Sequence, residues 1–244
     1  MPDIPDRLTR ESELTRDLNT EFNRQRRVVQ AANGDNVPWT TFQEGIEAAL
    51  ITHLSATFEI ARTLFLEQAA TGIVLAALLL LLGRVISGAQ WARSVASGLA
   101  ASIVAKSQES VTQAKLFAAD AANSEATTAA AAKARDRAFR DSIKVTFSVD
   151  RVESISATET TRAISAGEAS GARVIEQQDD SILSPQWVTE ADARVCPICQ
   201  PLHLKHRPEW VDRFPDGPPA HPRCRCWLVW RDNNGKSIGT VTGQ

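Results

Sequence analysis

The sequence lacks several features that would assign a protein to a class at once. It has no tyrosine, a single methionine at its first position, and no cysteine before residue 196. Its 27 basic and 29 acidic side chains nearly cancel, so the overall charge gives no sign of a nucleic-acid-binding protein. With 43% apolar and 23% charged residues, the composition is that of an ordinary folded protein and excludes a largely disordered chain.

A hydrophobic run of membrane-spanning length is also missing. The longest apolar stretch, residues 72–83, lies within 16 consecutive uncharged residues. As a helix these residues extend roughly 24 Å, which is shorter than the ~30 Å hydrocarbon core of a bilayer. We therefore expect a buried central helix, with a membrane-inserting segment as the alternative. Residues 1–14 mix acidic and basic side chains and are not typical of a secretory signal.

Helical spacing dominates most of the chain. Thr41 and Glu44 are spaced as a capping box, and apolar residues then recur every three or four positions from Ile46 to Phe65. A long Ala-rich helix is predicted over residues 91–144, and it is suited to packing against neighbouring helices or sister subunits. Residues 145–151 alternate, which indicates a short strand or a joint.

These patterns predict an α+β fold that is mostly α-helical in its N-terminal two-thirds and ends in a small zinc-stapled domain containing β-strands. We divide the chain into an N-terminal helical extension at 1–36 and a helical region with the apolar and Ala-rich helices at 37–144. A C-terminal domain follows at 145–234, and residues 235–244 form a flexible tail.

All four cysteines lie in two short motifs near the C-terminus. The motifs are Cys196-Pro197-Ile198-Cys199 and, after 21 residues, His221-Pro222-Arg223-Cys224-Arg225-Cys226. A Cys-x-x-Cys turn can hold one ion with two thiolates, and zinc takes four ligands in a tetrahedron. Free thiols and disulfides are the other interpretations, and the lack of a secretory signal disfavours disulfides. We predict a structural Zn²⁺ bound by Cys196, Cys199, Cys224 and Cys226, with His221 as the substitute for one of the last two.

No enzyme class is indicated by the sequence. A catalytic zinc keeps a coordination position open and needs a general base. Zinc deaminases carry His-x-Glu followed by Pro-Cys-x-x-Cys, whereas here Val195 precedes Cys196 and His-x-Glu does not occur. The zinc-protease, nucleophile-elbow and dinucleotide-binding motifs are absent as well. Glu159, Arg162 and Glu168 are typical of exposed pairs on a helix. We therefore predict no catalytic residues.

The C-terminal motifs together resemble the C-terminal domain of the phage Mu protein F-like minor head proteins, the head morphogenesis proteins of tailed phages. The resemblance covers roughly residues 150–230 and begins with a helix that carries Thr158-Glu159. One position departs from the family pattern, because Leu202-His203-Leu204 stands where members commonly have Leu-Asp-Gly. The ordered combination that carries the resemblance is Trp187-Val188-Thr189, Asp192, Cys196-x-x-Cys199 and Pro218-Pro219-x-His221-Pro222-x-Cys224-Arg225-Cys226.

This resemblance implies a structural minor capsid protein of a tailed phage or prophage, with residues 145–234 as the head morphogenesis domain. Implied partners are the portal protein, other capsid proteins and, in some members, phage DNA. The implied role is head assembly and DNA packaging or delivery, as an oligomeric component of the virion that passes through the host cytoplasm during assembly. Among the donors, the family pattern favours Cys199, Cys224 and Cys226.

Two other functions remain as alternatives. A zinc-knuckle nucleic-acid-binding protein is supported by C-terminal arginines interleaved with Trp210, Trp227 and Trp230, because arginines bind the backbone and tryptophans stack on bases. A membrane-active helical protein is supported only by residues 72–83.

Overall fold

The computed structural model describes residues 7–69, 86–123, 127–179, 182–189 and 195–238. In these ranges the chain forms five α-helices followed by a small antiparallel sheet. The helices are α1 (Arg7–Ala31), α2 (Trp39–Ala69), α3 (Gly88–Asn123), α4 (Thr128–Thr146) and α5 (Val149–Asp179). The strands are β1 (Ser184–Val188), β2 (Trp227–Arg231) and β3 (Ser237–Ile238), with 3₁₀ turns at Gln200–Leu202 and Arg207–Glu209.

This architecture confirms the predicted α+β class, with helices first and a small β-containing part at the C-terminal end. The apolar stretch at 72–83 lies outside the described residues. Among the helices that the structure describes, none combines the length and hydropathy that a membrane crossing needs.

Two local predictions are corrected by the structure, and a third, which left two alternatives open, is decided. α2 begins at Trp39, before the predicted capping box, and the Phe42 N–H donates to the carbonyl of Pro38. The Ala-rich region forms two helices, because the hydroxyl of Thr127 accepts the Ala130 N–H and begins α4 there. Of the two alternatives predicted for residues 145–151, the structure shows the joint and no strand, and the Ser148 hydroxyl accepts the Arg151 N–H at the start of α5.

The chain divides into two compact units that interleave along the sequence. The helical unit comprises Glu13–Leu50 and Ser94–Glu153, and the sheet unit comprises Met1–Ser12, Ile51–Arg93 and Ser154–Gln244. In the helical unit, the guanidinium of Arg151 donates to Ser107 and to two backbone carbonyls, those of Ile103 and Thr146. These bonds tie α3 to the end of α4. The apolar side chains that this unit buries include Leu14, Leu18, Phe22, Phe42, Ile46, Leu50, Ile103, Val104, Phe139 and Ile143.

The sheet unit contains the predicted donors. β1 and β2 pair antiparallel from Ser184 opposite Arg231 to Val188 opposite Trp227, and β3 extends the sheet beyond β2. The sheet buries Trp187, Leu228 and Trp230 in a core with the Phe65 ring of α2, whose centroid lies 5.8 Å from that of Trp230. The two strands therefore bring the chain before Cys196 and the chain after Cys226 side by side.

Candidate metal centre

A tight turn places the first cysteine pair. The N–H groups of Cys199 and Gln200 donate to the carbonyl of Cys196 at 3.1 and 3.0 Å, and the 3₁₀ turn Gln200–Leu202 continues from there. The Cys199 N–H also lies 3.3 Å from the Cys196 sulfur. An N–H group directed at a sulfur stabilises a thiolate, so this turn is suited to metal ligation.

A second turn places the remaining donors directly before β2. The Cys224 N–H donates to the carbonyl of His221 at 3.2 Å, and Arg223 between them has a left-handed φ of 57°. Cys226 precedes the first residue of β2. The pairing of β1 with β2 therefore presents this turn to the Cys196–Cys199 turn.

The structure brings all five predicted donors together. His221 Nε2 lies 3.0 Å from the Cys196 sulfur and 3.2 Å from the Cys199 sulfur, and the sulfurs of Cys199 and Cys224 are 3.7 Å apart. The donor atoms form two groups, each within 4.8 Å, and Cys199 belongs to both. The groups are Cys196, Cys199 and His221, and Cys199, Cys224 and Cys226.

The donor set fits a zinc ion. Zn–S bonds of about 2.3 Å in a tetrahedron place two sulfurs about 3.8 Å apart, close to the spacing of Cys199 and Cys224. All four cysteines are free thiols, so the disulfide interpretation does not describe this structure. A cavity of about 40 Å³ lies among Cys196, Cys199, His221 and Cys226. It has room for an ion.

The orientation of His221 favours ligation through Nε2. Its Nδ1 lies 2.7 Å from the carbonyl oxygen of Pro222. Because a carbonyl oxygen can only accept, we assign the ring proton to Nδ1. The Nε2 lone pair then faces the sulfurs, as in metal-binding histidines whose other nitrogen is held by a carbonyl.

The thiols differ in acidity. The pKa of Cys224 is lowered to about 5, chiefly because the Cys226 thiol donates to its sulfur, with backbone N–H groups of Cys226 and Ala220 adding to this. Burial and the neighbouring charge of Cys224 raise the pKa of Cys199 to about 12. The bond to Cys224, together with burial, also raises the pKa of Cys226. If these residues hold a metal ion, Cys224 would supply the thiolate that forms most readily, and ligation would require the buried thiols of Cys199 and Cys226 to lose their protons.

Several other polar residues of the sequence do not join the donors. His203 Nδ1 accepts the Thr189 N–H, and His206 caps the turn Arg207–Glu209. Glu159 is paired with Arg162 at 3.1 Å, as the spacing predicted, but Glu159 and Glu168 are both buried, so the prediction that these residues are exposed is wrong.

Two of the three tryptophans proposed for base stacking are buried. Trp210 is 3% exposed and donates its indole N–H to the Lys205 carbonyl, and Trp230 is 7% exposed. Trp227 is half-buried. Buried in this way, Trp210 and Trp230 do not support the alternative of a nucleic-acid-binding protein whose tryptophans stack on bases.

Sequence reasoning missed the contacts of α5 with the second turn. The hydroxyl of Thr158 accepts the Arg223 N–H at 3.0 Å, and the hydroxyl of Thr161 lies 3.3 Å from the carbonyl oxygen of Cys224. The spacing of two threonines on one face of a helix is the only signal that the sequence offers for these contacts.

Comparison with known proteins finds one family. A family model described as phage Mu protein F-like protein matches residues 88–229, which is more than half of the chain and includes all five donors. No curated protein and no solved structure matches the chain.

Proposed function

Because the chain belongs to the phage Mu protein F-like family, a family of structural phage head proteins, we propose that it is a minor capsid protein of a tailed phage or prophage. Its partners are other capsid proteins and its place is the virion. In our proposal it associates with the portal in several copies and assists head assembly and DNA packaging or delivery. The observation that carries the proposal is the family match, which encloses the donor cluster.

The proposed role of the donor cluster is structural. We propose that Zn²⁺ is held by Cys196, Cys199, Cys224 and Cys226, with His221 as an alternate ligand. Strands of five, five and two residues make a sheet too small to be stable by itself. A zinc ion would cross-link the chain after β1 to the chain before β2, and structural zinc contributes folding free energy directly. The small cavity and the closed donor set support a structural site over a catalytic one.

Assembly in the presence and absence of the portal tests the proposed role. The chain is co-expressed with the major capsid and portal proteins of the same phage, and assembled heads are separated by sedimentation. We expect the chain to sediment with heads only when the portal is present. Equal incorporation into portal-free heads, or no incorporation at all, would contradict portal association.

The contribution of the metal centre is tested in the same assay. Cys199→Ser and Cys224→Ser remove donors, and His206→Ala is a matched control because His206 lies outside both donor groups. We expect the two serine variants to be lost from heads and the control to be retained. Normal incorporation of both serine variants would remove the metal centre from the proposed function.

A further inference from the structure

Two threonines of α5 hold the backbone of the second donor turn. Thr158 and Thr161 are one helical turn apart and therefore lie on one face of α5. Thr158 contacts the Arg223 N–H and Thr161 contacts the Cys224 carbonyl, across 65 and 63 positions of sequence. The contacts fall on the N–H of the residue before the Cys224 ligand and on the carbonyl of Cys224 itself.

The hydrogen bond of Thr158 is well defined. Its hydroxyl donates to the Ser154 carbonyl at 2.5 Å, so its hydrogen is already engaged and its lone pairs are available to the Arg223 N–H. A valine at this position has nearly the same shape but offers no acceptor. It would leave the Arg223 N–H without this partner.

Thr161 connects the turn to the first helix as well. Its hydroxyl oxygen lies 2.9 Å from the Ala157 carbonyl oxygen and 3.3 Å from the Cys224 carbonyl oxygen, which share its one hydrogen, and it accepts a bond of 2.9 Å from Arg7. Arg7 is itself held by Glu11 at 2.7 Å. Thr161 is 3% exposed, so water competes little for these bonds.

The turn requires such support because its conformation is unfavourable. Arg223 adopts a left-handed φ of 57°, which is unfavourable for a residue that has a side chain. In the described part of the turn, the bond from Cys224 to the His221 carbonyl is the one internal backbone bond. The same four residues must present both the His221 ring and the Cys224 sulfur to Cys199.

We propose that Thr158 and Thr161 are positioning residues of the metal centre, whose hydroxyls hold the Arg223–Cys224 backbone so that the Cys224 sulfur faces Cys199. This inference rests on the proposed zinc site. It makes the zinc affinity depend on α5 and, through Arg7, on the first turn of α1.

The test measures zinc affinity in the full-length chain by competition with a chromogenic chelator. We expect Thr158→Val to weaken zinc binding by about tenfold, in the range seen when groups that orient metal ligands are lost. Thr158→Ser keeps the hydroxyl and is expected to bind zinc within about threefold of the wild type. With Co²⁺ in place of zinc, we expect a changed visible spectrum in Thr158→Val and an unchanged one in Thr158→Ser.

Thr160→Val is the matched control, since Thr160 is buried in the same helix and makes no described hydrogen bond to the Arg223–Cys224 turn. Thr161→Val gives a second, independent variant. Wild-type affinity in both Thr158→Val and Thr161→Val would overturn the proposal, as would an equal loss in Thr160→Val. Failure of both valine variants to fold while Thr160→Val folds would also overturn it, because the hydroxyls would then serve general stability. A wild-type chain that binds no zinc would instead contradict the proposed metal centre itself.

Discussion

At the scale of single residues, Cys199 is the central donor. It is buried, it belongs to both donor groups, and its sulfur lies within 3.7 Å of Cys224 and 3.2 Å of His221. Cys196 is half-buried, and His221 Nε2 lies 3.0 Å from its sulfur. His221 shares a donor group with Cys196 and not with Cys224 or Cys226, so we expect it to serve in place of Cys196, whereas Cys199 is shared by both groups.

This difference predicts unequal effects of two serine substitutions. We expect Cys199→Ser to lose nearly all bound zinc and Cys196→Ser to retain most of it, as measured by atomic emission on the purified variants. The combination of Cys196→Ser with His221→Ala is expected to behave like Cys199→Ser. Equal zinc content in the two single variants would contradict the central position of Cys199.

Glu168 is a buried carboxyl group without a clear partner. It is 1% exposed, and neither of its oxygens has a hydrogen-bond partner within the part of the chain that the structure describes. Burial raises its pKa well above the usual range, and the indole of Trp230 opposes this shift without reaching hydrogen-bond geometry. In the unfolded chain the carboxyl ionises near its ordinary pKa, while the folded chain keeps the proton to higher pH. The free energy of unfolding therefore falls as the pH rises through this window.

Glu168→Gln removes this pH dependence. We expect the variant to be more stable than the wild type by about 1–3 kcal/mol at pH 8, because the glutamate must either take up a proton or bury its charge on folding, whereas the amide does neither. The difference is expected to vanish near pH 4, where the carboxyl is protonated in both states. Urea unfolding at pH 8 and at pH 4 measures this difference in the free energy of unfolding. The exposed Glu109→Gln is the control, and we expect it to change stability by less than about 0.5 kcal/mol. A less stable Glu168→Gln at pH 8 would show that the charge has a partner.

At the scale of secondary-structure elements, the approach of α5 to α2 within the sheet unit depends on glycine. A Cβ atom at Gly167 would lie 2.4 Å from the Phe58 carbonyl oxygen, and one at Gly171 would lie 2.7 Å from the Phe65 ring. A backbone oxygen cannot move aside as a flexible side chain can. The backbones of α2 and α5 can therefore approach each other this closely only because Gly167 and Gly171 place no side chain between them.

Two glycine-to-alanine variants separate this packing effect from helix propensity. Alanine favours a helix over glycine by about 1 kcal/mol. In α3, Gly98 has open space around its Cα, so we expect Gly98→Ala to stabilise the protein by about 0.5–1 kcal/mol. Gly167→Ala is expected to destabilise it by about 2 kcal/mol or more, because overpacking outweighs propensity. Thermal unfolding checks both, and a Gly167→Ala variant as stable as the wild type would refute the close approach.

The helices and the donor turns show which parts of the structure could be predicted from the sequence. The α2 helix contains the predicted apolar series from Ile46 to Phe65, and the metal-donor motifs were visible because their spacing is local. The contacts of Thr158 and Thr161 with the Cys224 turn were not predictable, because they join residues more than 60 positions apart. The division of the Ala-rich region was missed because a single hydroxyl, that of Thr127, begins α4 in a composition that favours helix throughout.

At the scale of the whole molecule, the sheet unit draws on three separate stretches of chain. Trp230 packs on Phe65 of α2, and the glycines of α5 contact α2 as well. The region 145–234, which we proposed as a domain from the sequence, therefore shares its core with residues 51–69. Its boundary at residue 144 remains a prediction.

The shared core predicts how a fragment behaves. We expect residues 145–244 expressed alone to lack cooperative thermal unfolding even with excess zinc, because the face that Phe65 covers would be exposed. The full-length chain under the same conditions is the control. A fragment that unfolds cooperatively with zinc and at a similar temperature would show that the C-terminal region needs no part of α2.

We propose that this phage head protein carries a structural zinc ion between its two cysteine turns. The most direct test is the metal content of the full-length chain after purification without added metal or chelator. We expect about one zinc per wild-type chain and none in Cys199→Ser or Cys224→Ser. A wild-type chain that is folded and contains no zinc would contradict it.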